Sequence, residues 1–343
     1  MKTGKLISMM LAVVMIVTAL SLTSCATKKD TYTVGVIQLV THDALDAATE
    51  GFVQALKDKL GADKVVIDVQ NAAGSPDTCA TIANAFVTKK VDLIMANATP
   101  ALQAAYNATT TIPILGTSVT EYGVALGIEN FSGTVGGNVS GTSDLASLEK
   151  QAQMVIDLVP TAKTVGMLYC SAETNSDYQV KKVTEYLTAK GLTCVKYEFS
   201  DSNDVGTVAE KAAKECDALY IPTDNTAASC AETIYGKTGK TPIIAGEAGI
   251  CAGCGIATLS ISYYDLGYKT GEMAAQILKG EAKIEEMPIA YAPQESKKYN
   301  PAICADLGID VEMLKSLGFE PLSRSLSQQR CRGGIRSEPP LGR

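Results

Sequence analysis

Tryptophan is absent from this chain of 343 residues, phenylalanine occurs five times and histidine once, at His42. Aromatic contacts must come mainly from the 14 tyrosines. A single imidazole leaves little room for histidine-based acid–base chemistry or a histidine-rich metal site. Arginine is missing from the first 323 residues; all five (Arg324, Arg330, Arg332, Arg336, Arg343) fall in the last 20. The net charge of −7 argues against a nucleic-acid partner, which clustered lysine and arginine would have to hold. No Gly-x-Ser-x-Gly elbow and no plausible His–Cys–Asp set is present, so no enzyme class is indicated beyond one working with carboxylates alone. After the first 25 residues no apolar run approaches the roughly 20 residues that span a bilayer, and the body is expected to be soluble.

What is present begins with an export signal. Two lysines in Met1–Lys5 precede a nearly unbroken apolar run, Ile7–Leu20, and then Leu22–Cys25 (LTSC), a small-residue cleavage site ending in cysteine. This site resembles the lipobox of bacterial lipoproteins, which implies removal of residues 1–24 and a lipidated Cys25 anchoring the chain to the outer face of the cell membrane. Residues 25–32 are short and polar and read as a tether. Residues 322–343 carry no apolar periodicity and are expected to be a disordered or artefactual appendage.

Between these ends lies more chain than one compact core holds, which favours two lobes. Four cysteines (Cys79, Cys170, Cys216, Cys230) sit in apolar strand-like or helix-like stretches, where a free thiol packs as a small hydrophobe. Cys251 and Cys254 have paired spacing, leaving free thiols, a local disulfide or, with two further ligands lacking, a metal pair.

The body alternates apolar runs with amphipathic helical stretches, and the pattern is written twice. In the first half Thr33–Gln38, Val65–Val69, Asp92–Asn97 and Pro113–Ser118 read as strands. Between them, helices are expected over Asp43–Leu60, over Asp77–Lys89 with Asp77 as a possible cap, and from Pro100. The second half repeats this with strands at Thr164–Cys170, Thr193–Phe199, Asp217–Asp224 and Thr241–Gly246, and helices at Asn175–Lys190 and Asp204–Glu215. Strands joined through helices make parallel sheets. The expected class is α/β, with two doubly wound parallel-sheet lobes.

In open parallel sheets ligands bind beyond the carboxyl ends of the strands. Those ends carry His42, Asp46, Thr99, Ala101, Thr117 and Ser118 in the first half, and Glu173, Asn175, Ser176, Asp224, Asn225 and Glu247 in the second. Helix N-termini at several of them suit a carboxylate, and the acids suit an ammonium. A free amino acid carries both charges. The same residues also serve as ordinary helix caps. Tyr106, Tyr122, Tyr169, Tyr178 and Tyr264 are candidates for stacking on a ligand side chain.

The residues also carry a family resemblance. Gln38–Asp46 (QLVTHDALD), Gly51-Phe52, Thr99–Ala101 (TPA), Gly137–Gly141 (GNVSG), Ala172–Ser176 (AETNS), Tyr220–Asn225 (YIPTDN), Ala245–Glu247 (AGE) and Tyr263–Met273 (YYDLGYKTGEM) appear in order. Together with the lipobox they resemble the substrate-binding lipoproteins of ABC transporters, in the group that includes binders of tryptophan and other aromatic amino acids. The resemblance implies the type I periplasmic-binding fold with a three-crossover hinge, and delivery of solute to an ABC permease. It also implies a helix near Tyr264–Leu278 returning to the first lobe, hence lobes of 33–140 plus 263–285 and 141–262 plus 286–321. Departures are His42-Asp43, where proline often follows the histidine, and the cysteine pair at 251 and 254. The expectation is a monomeric binding protein, with no cofactor and no metal, that closes on an amino acid. Asp224, with Glu173 or Glu247, would hold the ammonium; Thr99, Ala101 and Ser118 would hold the carboxylate. A sensory binding subunit, or a sugar or nucleoside binder of the same fold, are the alternatives.

Overall fold

Residues 34–37 (VGVI) are apolar or small at every position, the pattern of a strand covered on both faces. In the computed structural model, which describes residues 31–292 and 294–322, this run lies inside β1 (Tyr32–Gln38), paired in parallel with β2 (Val65–Asn71) and β3 (Leu93–Asn97). With β4 (Ile114–Val119), β5 (Val139–Ser143) and β11 (Ala290–Tyr291) they form a six-stranded sheet in the order β11-β5-β4-β3-β1-β2. A second sheet contains β6 (Thr164–Cys170), β7 (Thr193–Phe199), β8 (Ala218–Ile221), β9 (Ile243–Ala245), β10 (Ala257–Ser260), β12 (Ser296–Tyr299) and β13 (Glu320–Pro321). Its order is β13-β12-β10-β9-β8-β6-β7, parallel except where β12 runs against β10.

Helices cover both faces. The first lobe has α1 (Asp43–Leu60), α2 (Pro76–Lys89), α3 (Thr99–Ala108) and α4 (Tyr122–Leu126). The second has α5 (Leu148–Leu158), α6 (Thr174–Ala189), α7 (Val205–Glu215), α8 (Asn225–Ser229), α9 (Ala231–Thr238) and α10 (Ala248–Gly253). Then α11 (Tyr263–Leu278) returns to the first lobe, and α12 (Pro301–Leu307) and α13 (Val311–Ser316) finish the second. Alternation along each strand divides its side chains between two cores. Val34 and Val36 pack with Phe52, Leu56 and Met273 on one face, while Ile37 packs with Leu45, Phe86 and Leu102 on the other.

The return of α11 rests on small residues. A Cβ on Gly51 would stand 2.1 Å from the Tyr264 carbonyl, and one on Gly267 would stand 1.9 Å from that of Ala48. The backbones of α1 and α11 therefore approach more closely than any larger side chain allows. Ser75, not Asp77, caps α2: its Oγ accepts from Thr78 N at 3.2 Å, with Pro76 at the first helical position.

The lobe boundaries differ from those expected at 140 and 286. The first sheet keeps β5 as far as Ser143 and takes in Ala290–Tyr291, so the chain crosses between sheets after β5, after β10 and after β11. The sequence of β5 (VSGTS) is too polar to read as a buried strand, which hid its membership. Glu295 ties the crossings together, accepting from Ser147 N and from Lys150 Nζ at 2.7 Å. All eight described cysteines are free thiols, Cys251 and Cys254 included. Burial pushes both of those thiols up, and each donates to a nearby carbonyl, Gly255 O and Ile250 O. Cys25, the signal, the tether up to residue 30 and the segment from 323 lie outside the described residues.

Candidate functional site

Buried polar atoms without a partner locate the region of interest. Among the described residues seven side-chain atoms are in this state, and five lie at or just past the carboxyl ends of strands: His42 Nδ1, Asn97 Oδ1, Ser118 Oγ, Asp144 Oδ1 and Asn175 Oδ1. Each such group costs free energy, so a cluster of them marks a place built for something else to complete. Both lobes contribute. The two sets meet across a cleft, where His42 Nε2 lies 3.4 Å from Asn225 Oδ1.

On the first-lobe side the backbone is strained where β3 and β4 end. Ala98 has φ 95 and ψ 158, and Ser118 has φ 53, both buried. Ala98 lies in a region that is nearly glycine-only, at a cost of about 1–3 kcal/mol. Its conformation starts α3, whose first-turn N–H groups, from Thr99 and Ala101, have no intrahelical acceptor. Thr117 faces elsewhere. Its Oγ1 is 3.1 Å from Thr142 Oγ1, itself 2.8 Å from Thr270 Oγ1, so this hydroxyl belongs to a buried chain joining β4 and β5 to α11. Asp46 is exposed one turn into α1, accepting from Gln38 Nε2 at 2.6 Å.

Two of the second-lobe acids are already engaged by their own chain. Asp224 accepts from Cys170 N, Ser176 Oγ and Ala227 N, each at 2.7 Å. It thereby caps α8 and pins β6 and α6 to it. Glu173 accepts from Asn225 N and Nδ2, from Thr226 N and Oγ1, and from Asn175 Nδ2. Burial, with Glu173 beside it, pushes the Asp224 carboxyl up to about 8 against the pull of its donors. These acids hold the second-lobe edge in shape: Glu173 is filled by five donors, and Asp224 is engaged by three, with Oδ1 taking only one of them. Asn175 and Ser176 belong to the same network, with Asn175 Oδ1 left free of it.

A different acid has spare capacity. Asp144, at the first crossing and 4% exposed, accepts from Tyr263 Oη at 3.0 Å through Oδ2, while Oδ1 has no partner. Burial pushes its carboxyl up to about 6, the Tyr263 and Thr120 hydroxyls pull it back, and the charge of Glu247 raises it further. Glu247, 2% exposed, caps α10 by accepting from Gly249 N at 2.7 Å and from Ile250 N. Burial raises Glu247 as well, and His42 across the cleft draws it down. Asp144 and Tyr263 are not among the site residues that the sequence pattern singles out. Asp144 follows a strand that did not read as one, and Tyr263 sits one place before the tyrosine that was favoured.

Tyr264 is 37% exposed and stacks on Tyr268, centroids 6.4 Å apart, on the outward face of α11. Tyr106 is exposed, Tyr122 donates to Thr142 O, and Tyr169 donates to Glu198, so none of these reaches the cleft with a free ring. Tyr178 is half-buried beside Glu121 and Tyr291. A cavity of about 340 Å³ opens at the cleft edge farther from the crossings, between Leu39, Val40 and Pro100 of one lobe and Ala172, Glu173 and Thr226 of the other.

Residues 33–316 match the family model described as ABC transporter substrate binding protein. The chain belongs to that family. It is 37% identical over 294 residues to a tyrosine-binding protein of Clostridioides difficile (strain R20291), covering 84% of this chain and 82% of the relative. Among solved structures, a domain from Streptococcus pneumonia in complex with L-Trp is 31% identical, with a TM-score of 0.80 over 85% of this chain and 100% of that one. The ligand-free, open structure of a substrate binding protein with adhesive properties from Clostridium difficile is 39% identical, with a TM-score of 0.62 over 81% of this chain and 95% of that one. The likeness covers both lobes of this ABC transporter substrate-binding protein, and the two-lobe periplasmic-binding architecture is the family's. The better superposition goes with the lower sequence identity.

Proposed function

We propose that this chain captures an amino acid with an aromatic side chain between its lobes and delivers it to an ABC permease, without catalysing a reaction. The observation that carries this reading is the set of unpartnered buried polar atoms at the strand ends of both lobes, which the His42–Asn225 contact joins. A zwitterion suits such a site. The first turn of α3 and Ser118 suit its carboxylate, Asn175 offers a free carbonyl oxygen, and carboxylates lie nearby. The relatives named for tyrosine and crystallised with L-Trp support an aromatic side chain. A lipid on Cys25 would hold the protein at the outer face of the cell membrane, where two acyl chains anchor stably.

Calorimetric titration with the twenty amino acids, glucose and adenosine tests this reading. Binding confined to aromatic amino acids is expected; binding of the sugar or nucleoside alone would overturn it. Ligand at 100 times its dissociation constant should stabilise the protein by about 2.7 kcal/mol, readily seen as a melting shift. Replacing Cys25 by alanine in cells should release the protein from the membrane fraction.

A further inference from the structure

Glu173 is filled by its own chain and Asp224 is largely committed to three donors, which leaves the question of which group receives the ligand's cation. Asp144 lies at the first crossing and Tyr263 at the start of the helix after the second, and their hydrogen bond joins the two. That bond uses one carboxylate oxygen; the other is buried without a hydrogen bond of good geometry, with the Thr120 hydroxyl near enough to pull the carboxyl down. Glu247 adds a second buried carboxylate close enough to raise Asp144 by its charge. The titratable groups facing Asp144 are Tyr122 from α4, Tyr263 from α11 and Glu247 from α10, with His42 and Asp43 on the far side of Glu247. None of the groups around Asp144 itself supplies a full positive charge.

We propose that Asp144, positioned by Tyr263 and reinforced by Glu247, receives the primary ammonium of the bound amino acid at the crossings between the lobes. The free Oδ1 accepts one N–H of the ammonium. The two buried carboxylates then share a cation that offers three donors. This assignment rests on the amino-acid reading above and makes the site selective for ligands that keep their amino group. Carboxylic acids of the same shape without nitrogen would leave the pair uncompensated.

The test is calorimetric titration of the full-length soluble body with L-tyrosine and L-tryptophan, and with 3-(4-hydroxyphenyl)propanoate and 3-indolepropanoate, which lack the amine. Wild type should prefer the amino acids by about 30-fold or more, as expected for a buried charge that loses its partner. Asp144→Asn should lose most of that preference, with affinity for the amine-free acids unchanged or improved. Its circular dichroism and unliganded melting curve establish that it is folded. Asp144→Asn keeping the wild-type preference would overturn the assignment, as would a wild type that binds both classes equally. A wild type that binds no amino acid would instead defeat the reading on which the assignment rests. Glu247→Gln gives a second, independent measurement and should weaken the preference less than Asp144→Asn.

Discussion

Removing the charge of Asp144 should make the unliganded protein more stable. In the folded chain its carboxyl is pushed from an ordinary 3.8 to about 6, burial being the first cause. A carboxyl raised in this way opposes folding once ionised. The penalty is absent below about pH 4, grows between 4 and 6 and is complete above 6. Two units correspond to about 3 kcal/mol, an upper figure because an amide in that place must itself be accommodated. In Asp144→Asn the side-chain oxygen can still accept from Tyr263 Oη, and the new N–H₂ stands where Oδ1 was, with the like charge of Glu247 no longer opposed. A net gain of about 1–3 kcal/mol at pH 7.5 should raise the melting temperature by several degrees, at about 2–4 °C per kcal/mol for a lobe of this size. The assay is differential scanning calorimetry of ligand-free wild type and variant from pH 7.5 to pH 4. The gap between their midpoints should close as pH falls through 6. A variant that melts below wild type at pH 7.5, or a gap that ignores pH, would refute the argument that Asp144 is held ionised at a cost.

Ligand affinity measured by calorimetry should be flat above pH 7 and fall as pH drops through about 6, approaching tenfold per unit, because Asp144 must be ionised to take a cation. Asp224→Asn should behave oppositely to the Asp144 change. Its amide would face donors from Cys170 or Ala227 that need an acceptor, and urea unfolding should show a loss of about 2–4 kcal/mol. Gly267→Val should lower the melting temperature by at least several degrees, since its Cβ would meet the Ala48 carbonyl at 1.9 Å, and backbone cannot move aside as a flexible side chain can.

The fold was legible because its signals repeat. Apolar runs such as Thr33–Gln38 and Thr164–Cys170 form the inner strands β1 and β6, flanked by the helices that periodicity placed after them. Where patterning is weak the reading stopped: β5 is nearly all hydroxyl and glycine, so the first lobe's edge was cut three residues short. The site was legible as a set of strand ends but not as a division of labour. An acid after a strand can cap the next helix or face a ligand, and sequence shows the same letter for both. Asp224 and Glu173 took the first course, because the short helix α8 needs acceptors for its N–H groups and both acids reach them. Asp144 precedes no helix at hydrogen-bonding range, so one of its oxygens stays free. Thr117 shows the same limit on a smaller scale. Adjacent strand residues point to opposite faces, so Thr117 turns to the helix layer while Ser118, thrown out of strand geometry by its positive φ, leaves its hydroxyl unpartnered.

The position of Asp144 also bears on how binding would move the lobes. A ligand biases a conformational equilibrium only through contacts that differ between the two states. Asp144 and Tyr263 stand on the first two crossings, while Glu247 and Asn175 belong to the second lobe and Ser118 to the first. A zwitterion seated among them touches both lobes and the segments about which they turn. Parting of the lobes would carry Glu247, on the second lobe, away from Asp144 and would leave such a cation with one carboxylate in place of two. The free energy of sharing the cation is therefore present only in the closed arrangement, which is the condition for a ligand to drive closure. The His42–Asn225 contact is also lost when the lobes part, but it needs no ligand. Its 3.4 Å separation makes it a weak hydrogen bond.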